Sequence, residues 1–460
     1  MSAILWLHMR RSLQAAVLLA AIATVAVGVG AFALMTDSPG DANDPPTTDP
    51  PTVDGDASVE QFESDAAFEE YVREAQRDSG GFFGGVVTFQ GGGDVAVAET
   101  SVERADGGSA SGGGASDTRI SETNVQVGGV AEPDRLQTGQ NTLYYADSRH
   151  WRGGYPPEDG YGRTRFIDAS DPAAPELVGG IPDSGQLLLV NDTLVVLSNE
   201  RVTGYDVSDR ENPEQVWEVG LNAHIQTARM TEGRLVLVLQ QGVTLDGPCP
   251  IEPFTDRPGT ACTDVYHPGA DADASVTYTV VSMDPHTGDE HDRVTFLGTR
   301  QHSATYVTND SVYLTYTQRV PYAETYQAYL QGSDLLDERA HDRLDELATY
   351  DLTASARMTE LRALVQDWLA RQPAEEREQL REDLQSGYGE YVDERKRDLL
   401  RSGIVRIDRD GDSLSVAETG EVPGRPLNQW ALDEHEGTLR IATTVDPRGA
   451  TSVNDVYTLD

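Results

Sequence analysis

The chain has 460 residues, of which 77 are acidic and 35 basic, giving a formal charge of -42 and a pI near 4.4. With no compensating basic patch, this balance excludes nucleic acid as a partner, because phosphate binding relies on cationic groups. A hydrophobic content of 38% and recurrent β-type segments exclude general disorder after about residue 120. Lys396 is the only lysine. Acid excess with so little lysine resembles the proteins of extreme halophiles, where screening shortens the Debye length to about 3 Å at about 1 M salt.

In chain order, residues 1–12 read as a cytoplasmic N-terminus ending in Arg10 and Arg11. Residues 13–35 form an apolar run relieved only by Gln14 and Thr24. At about 1.5 Å per residue, such a helix crosses a hydrocarbon core of about 30 Å. The expectation is a single-pass anchor with the bulk of the chain outside the cell membrane. The alternative is a signal sequence cut after Ala31-Phe32-Ala33, which would release a secreted protein. Residues 36–58 read as a flexible, disordered linker. Residues 59–120 hold a short amphipathic helix (about 59–77, with Phe62, Phe68, Tyr71 and Val72 on its apolar side) and a glycine-rich linker.

From 121 to 324 the texture turns to short β runs separated by Asp, Asn, Gly and Pro turns, among them Gln186–Val190, Thr193–Leu197 and Arg234–Leu239. An internal repeat organises them. The turn FIDASDPAAP recurs as YDVSDRENP, which sets Asp168 against Asp206, Asp171 against Asp209, and Pro175 against Pro213. Weaker copies carry Asp284 and Asp408. Strand, aspartate-rich turn, strand is a unit that cannot bury its faces alone, so copies must stack. A period near 40 predicts an all-β fold, a β-propeller with four or five recognisable blades and an incomplete ring. A β-sandwich explains the strands but not the repeated turns.

Residues 325–400 switch to helical texture and predict a helical hairpin or small bundle inserted into one blade. Arg395, Lys396 and Arg397 form the densest basic cluster, suited to a helix C-terminus. Residues 401–460 return to β texture and continue the propeller.

Cys249 and Cys262 are the only cysteines. In an exported chain they predict a disulfide closing a short polar loop, with about 3 kcal/mol from chain entropy. Two cysteines with only His267 nearby fall short of a zinc set.

Five segments carry a family likeness. SETNVQVGGVAEPD (121–134), GQNTLYYADS (139–148), the turn at Asp206–Pro213, HIQTARM (224–230) and LNQWALDEHEGTLRIAT (427–443) resemble secreted β-propeller proteins described as distant relatives of WD-40 repeats, found in haloarchaea, other archaea and some bacteria. Ala131, Pro133 and Leu136 depart from that family's opening pattern of acidic residues. The resemblance implies a propeller over about 121–460 and carries over no enzymatic activity. Because the family continues through further blades, it also implies a chain truncated at its C-terminus or completed by a separately encoded remainder.

No HExxH, phosphate-binding loop or GxSxG elbow occurs. Asp433, Glu434, His435 and Glu436 form the most suggestive polar cluster and are candidates for a shared metal site, although alternation in an exposed β turn puts them on different faces. Asp168, Asp171, Asp206 and Asp209 are candidate oxygen ligands for calcium, with turn capping as the simpler role. The expected function is an extracytoplasmic, membrane-anchored binding or scaffolding module on the cell surface. Its expected partners are the membrane, through residues 13–35, and a protein or polysaccharide. A surface hydrolase using acidic residues at the propeller mouth is the alternative.

Overall fold

The structure is a computed structural model that describes residues 59–79 and 125–459, apart from 148–162, 246, 270–271, 273, 301–302 and 319. It opens with β1 (Val59–Gln61) and α1 (Asp65–Ser79). Two four-stranded antiparallel sheets follow. The first comprises β2 (Leu136–Thr138), β3 (Thr142–Asp147), β4 (Arg163–Asp168) and β5 (Glu176–Ile181). The second comprises β6 (Gln186–Val190), β7 (Thr193–Leu197), β8 (Arg201–Asp206) and β9 (Glu214–Gly220).

The third sheet is built on β10 (His224–Thr231), β11 (Arg234–Gly242), β13 (Val276–Met283) and β14 (Glu290–Gly298). It gains a parallel strand, β12 (Val265–Pro268), on which β1 pairs antiparallel. The fourth sheet contains β15 (Thr305–Val307), β16 (Ser311–Thr317), β17 (Arg401–Asp410) and β18 (Ser413–Pro423). The fifth contains β19 (Leu432–His435), β20 (Thr438–Val445) and β21 (Val453–Leu459).

Local chemistry sets the meander. The turns joining the first and second strands use left-handed residues, Glu232-Gly233 and Glu436-Gly437, both positive in φ. That geometry matches the twist of a tight hairpin. Between β16 and β17 the chain makes four helices: α2 (Tyr322–Gln331), α3 (Glu338–Ala348), α4 (Ala354–Arg371) and α5 (Arg377–Leu399). The Asp337 and Thr353 side chains cap α3 and α4 by accepting from Ala340 N and Ala356 N. The helices share a core around Leu330, Leu344, Leu361 and Trp368, and the strands flanking them still pair, Thr317 opposite Ser402. The insertion therefore replaces a hairpin turn without breaking the sheet.

Apolar cores lie between consecutive sheets. Phe166 of the first packs with Leu194 of the second, Val195 of the second with Leu237 of the third, Val280 of the third with Val405 of the fourth, and Tyr313 of the fourth with Ile441 of the fifth. Among the described residues no such cluster joins the fifth sheet to the first.

The architecture corrects the all-β expectation. Among the described residues five α-helices accompany the sheets, which makes the fold mixed, and the sheets are open rather than closed into a barrel. Helices form here because 325–399 and 65–79 carry apolar residues at helical spacing, with buried Phe68 and Val72 on one side of α1.

The membrane expectation is corrected too. Among the described residues no helix is long and apolar enough to cross a membrane. The longest, α5, has 23 residues, but its sequence REQLREDLQSGYGEYVDERKRDL is charged throughout. The expected span at 13–35, the linker at 36–58 and the glycine-rich stretch from 80 lie outside the described residues. Membrane attachment, and the membrane, surface and secreted placements built on it, have no support among the described residues and are not carried into the functional reading.

Candidate functional site

The segment from Gln126 to Asp134 crosses four sheets. Ala131 pairs with Met230 through both backbone bonds (2.8 and 3.0 Å), and Asp134 pairs likewise with Leu187 (3.1 and 2.7 Å). Asn309, in the turn between β15 and β16, donates to Gly128 O at 3.1 Å. Gln126 Nε2 donates to Gln429 O (2.9 Å) and Leu432 O (3.0 Å). Gly129 has a φ of +87°, and a Cβ there would stand 3.2 Å from Asn309 Oδ1, so this position suits glycine.

At the centre of the crossing is Arg229, 8% exposed. Its guanidinium donates to Thr227 Oγ1 and Ala228 O, both at 2.8 Å, and to Gln429 Oε1 at 3.0 Å, and it ion-pairs with Glu132 at 3.3 Å. Burial pushes its pKa down and Glu132 opposes that shift. Three of the five segments that carry the family likeness meet here: 121–134 supplies Gln126 and Glu132, 224–230 supplies Arg229, and 427–443 supplies Gln429. Sequence reading missed the Arg229–Glu132 pair, although the separate matches pointed to each side of it.

The two ends of the sheets differ. At one end, first-to-second-strand turns meet third-to-fourth-strand turns of the next sheet, with Thr193 Oγ1 against His286 Nδ1 at 2.7 Å and Arg234 Nε donating to Asp412 Oδ1 at 2.5 Å. At the other end the longer connections join into a rim. Leu221 bridges Phe254, Ala272 bridges Gln318, and Thr451 N donates to Asp393 Oδ1 of α5 at 2.7 Å. The basic cluster at the end of α5 works here. Lys396 Nζ donates to Thr451 O at 3.0 Å, Arg397 holds Asp455 at 2.8 and 3.0 Å, and Arg395 lies over the Tyr391 ring. Beside this rim, in the connection from β18 to β19, Leu427 is 87% exposed and Trp430 61%.

The predicted site residues fall apart spatially. Asp168 accepts from Ser170 N, Asp171 from Ala173 N, Asp206 from Ser208 N, and Asp209 from Glu211 N and Asn212 N, so each caps its own exposed turn. Side-chain hydrogen bonds from Ser170 and Asn212, with these backbone bonds, hold Asp168 and Asp209 below the usual carboxylate range, and the Ser208 backbone bond, with its side chain, does the same for Asp206. On β19, Asp433 and His435 are exposed, with Asp433 ion-paired to Arg440 across the strands. Glu434 faces the other way and accepts from Tyr313 Oη at 3.0 Å.

Cys249 and Cys262 form a disulfide with Cα atoms 5.7 Å apart. Asp65, in the first turn of α1, comes within 4.8 Å of both sulfurs, which makes these three residues a potential metal-binding group. One carboxylate and two sulfurs are not the six to eight oxygens calcium takes, and sulfurs bonded to each other are not thiolate ligands.

Antiparallel meanders stacked face to face, tied by a segment crossing their first strands, define a propeller-type domain. The profile described as "Beta propeller domain" covers residues 120–460, and the chain belongs to that family. An uncharacterized protein of Archaeoglobus fulgidus is 30% identical over 462 residues, covering 96% of this chain and 69% of the relative. The uncharacterized protein MJ1554 of Methanocaldococcus jannaschii is 27% identical over 352 residues, covering 74% of this chain and 53% of the relative. Among solved structures, the crystal structure of an ACO/RPE65 chimera aligns with 71% of this chain and 61% of that chain, at 12% identity and a TM-score of 0.26. That score carries no argument about fold or activity.

Proposed function

We propose that the chain is a non-catalytic binding module whose recognition surface is the rim carrying the helical insertion, the disulfide loop and the β18–β19 connection. The observation that carries this reading is the pair of exposed apolar side chains, Leu427 and Trp430, beside that rim. An indole with an open face is a contact residue of the kind that dominates binding surfaces. The capping aspartates support a structural rather than a chemical role, and a calcium site built on them would have to compete with their backbone donors. The acidic surface supports work in strong salt, and the stacked meanders are compatible with WD-40 kinship.

The test is a peptide and glycan array probed in molar KCl with the chain, with Trp430→Ala, and with the helices from 322 to 399 replaced by a short turn. Ligands retained by the chain and lost by both variants support the proposal. Capture indifferent to both, or turnover of arrayed substrates, overturns it.

A further inference from the structure

Asparagine followed two residues later by threonine or serine, with no proline between, is an acceptor for N-linked sugars when it stands on a surface turn. The chain has two such triplets, Asn191-Asp192-Thr193 and Asn309-Asp310-Ser311. Both occupy the same place in the fold. Asn191 and Asp192 make the turn from β6 to β7, where Val190 pairs with Thr193, and Asn309 lies in the turn from β15 to β16. These are the first-to-second-strand turns of the second and fourth sheets, at the end opposite the rim.

Their surroundings differ. Asn191 is exposed at the tip of its hairpin with φ at +52°, and among the described residues its side chain makes no hydrogen bond. The turn is held by other groups: Val207 N donates to Asp192 O at 2.8 Å, and Thr193 Oγ1 lies 2.7 Å from His286 Nδ1. A sugar on Asn191 Nδ2 therefore displaces no bond. The Asn309 amide is occupied on both sides. Its Nδ2 donates to Gly128 O and its Oδ1 accepts from Thr231 Oγ1, each at 3.1 Å. Even a Cβ on Gly129 would stand 3.2 Å from that Oδ1, so a sugar on Asn309 would lift the crossing segment off the fourth sheet.

We infer that Asn191 carries an N-linked glycan and that Asn309 does not. In the transfer, Asn191 Nδ2 bonds to the anomeric carbon of a sugar supplied as a glycosyl phosphate. The carbon–oxygen bond to the phosphate breaks, the phosphate leaves with the electron pair, and one amide proton passes to a base of the transferring enzyme. That enzyme also reads the hydroxyl two residues on, and Thr193 is only 8% exposed once it lies against His286. Transfer therefore precedes docking of the second sheet on the third. A chain that receives a sugar on Asn309 at that stage cannot seat Gly128 and is lost from the folded population. The Cys249–Cys262 disulfide agrees with this reading, because disulfides persist in the oxidising compartments where such triplets are modified.

The experiment is mass spectrometry of the full chain purified from the cells that naturally make it. Cleavage after arginine puts the two asparagines on separate peptides, 166–201 and 301–319. The expected result is a peptide 166–201 that bears sugar on Asn191, beside an unmodified peptide 301–319. Two variants made in the same cells fix the assignment. Asn191→Gly suits the left-handed turn and should remove all the added mass, whereas Thr193→Ser keeps the hydroxyl and should retain it. An unmodified Asn191 in the natural chain overturns the proposal, as does sugar on Asn309 of the folded protein. Added mass that survives Asn191→Gly, or is abolished by Thr193→Ser, overturns it equally.

Discussion

Replacing Glu132 with alanine leaves the Arg229 guanidinium buried without its carboxylate. At their separation of 3.3 Å, an effective dielectric near 20 gives a gross attraction of about 5 kcal/mol. Two features reduce the net cost: Arg229 keeps its bonds to Thr227, Ala228 and Gln429, and the Glu132 side chain is 21% exposed. Breaking a fully buried pair costs about 3–5 kcal/mol. Glu132→Ala should therefore cost about 2–3 kcal/mol. Arg229→Met removes the charge while filling much of the volume, and the double variant should be little worse than Arg229→Met alone. Urea unfolding in molar KCl, followed by tryptophan fluorescence, gives all three values and a coupling energy of about 1.5–2 kcal/mol. Additive effects, or a loss below about 0.5 kcal/mol for Glu132→Ala, would show that the pair does not hold the crossing segment to the third sheet.

Gly204→Ala puts a methyl 2.1 Å from the indole Nε1 of Trp217, which donates to Pro285 O at 3.0 Å and is itself buried; a loss of about 2–3 kcal/mol is expected, and a change under about 0.5 kcal/mol would count against the packing described. Reducing the Cys249–Cys262 bond should cost about 3 kcal/mol and loosen α1, whose Phe68 and Val72 pack with Cys262, read as faster proteolysis within 65–79. Unchanged protection after reduction would separate the helix from the disulfide. Burial pushes Tyr388 and Tyr457 up to about 12. Their folded pKa values lie above the unfolded value near 10, so the stability they contribute is full below pH about 10 and is lost as pH rises towards 12. Ultraviolet titration should show phenolate formation coinciding with unfolding in that window, and ordinary titration near 10 in an intact fold would refute it.

How much was visible in the residues alone varies by element. The runs Gln186–Val190 and Thr193–Leu197 coincide with β6 and β7, because a continuous apolar segment between turn residues has few ways to bury itself. The aspartate turns were legible as turns, since Asp168 and Asp206 bond to backbone two residues away and need nothing distant. The parallel strand β12 and the pairing of β1 with it were not legible, because no local pattern specifies a partner some 200 residues along. Nor was the placement of Glu434 against Tyr313 rather than beside Asp433 and His435 as a shared site.

By itself the sequence determined what depends on near neighbours: strand and helix periodicity, turn chemistry, and an acidic surface that needs screening. Only the tertiary structure decided that helices and open sheets share one mixed fold, and that Gln126, Glu132, Arg229 and Gln429 meet. The physical reason is that periodicity shows which side of an element is apolar, whereas what covers that side is chosen by packing between segments far apart in the chain.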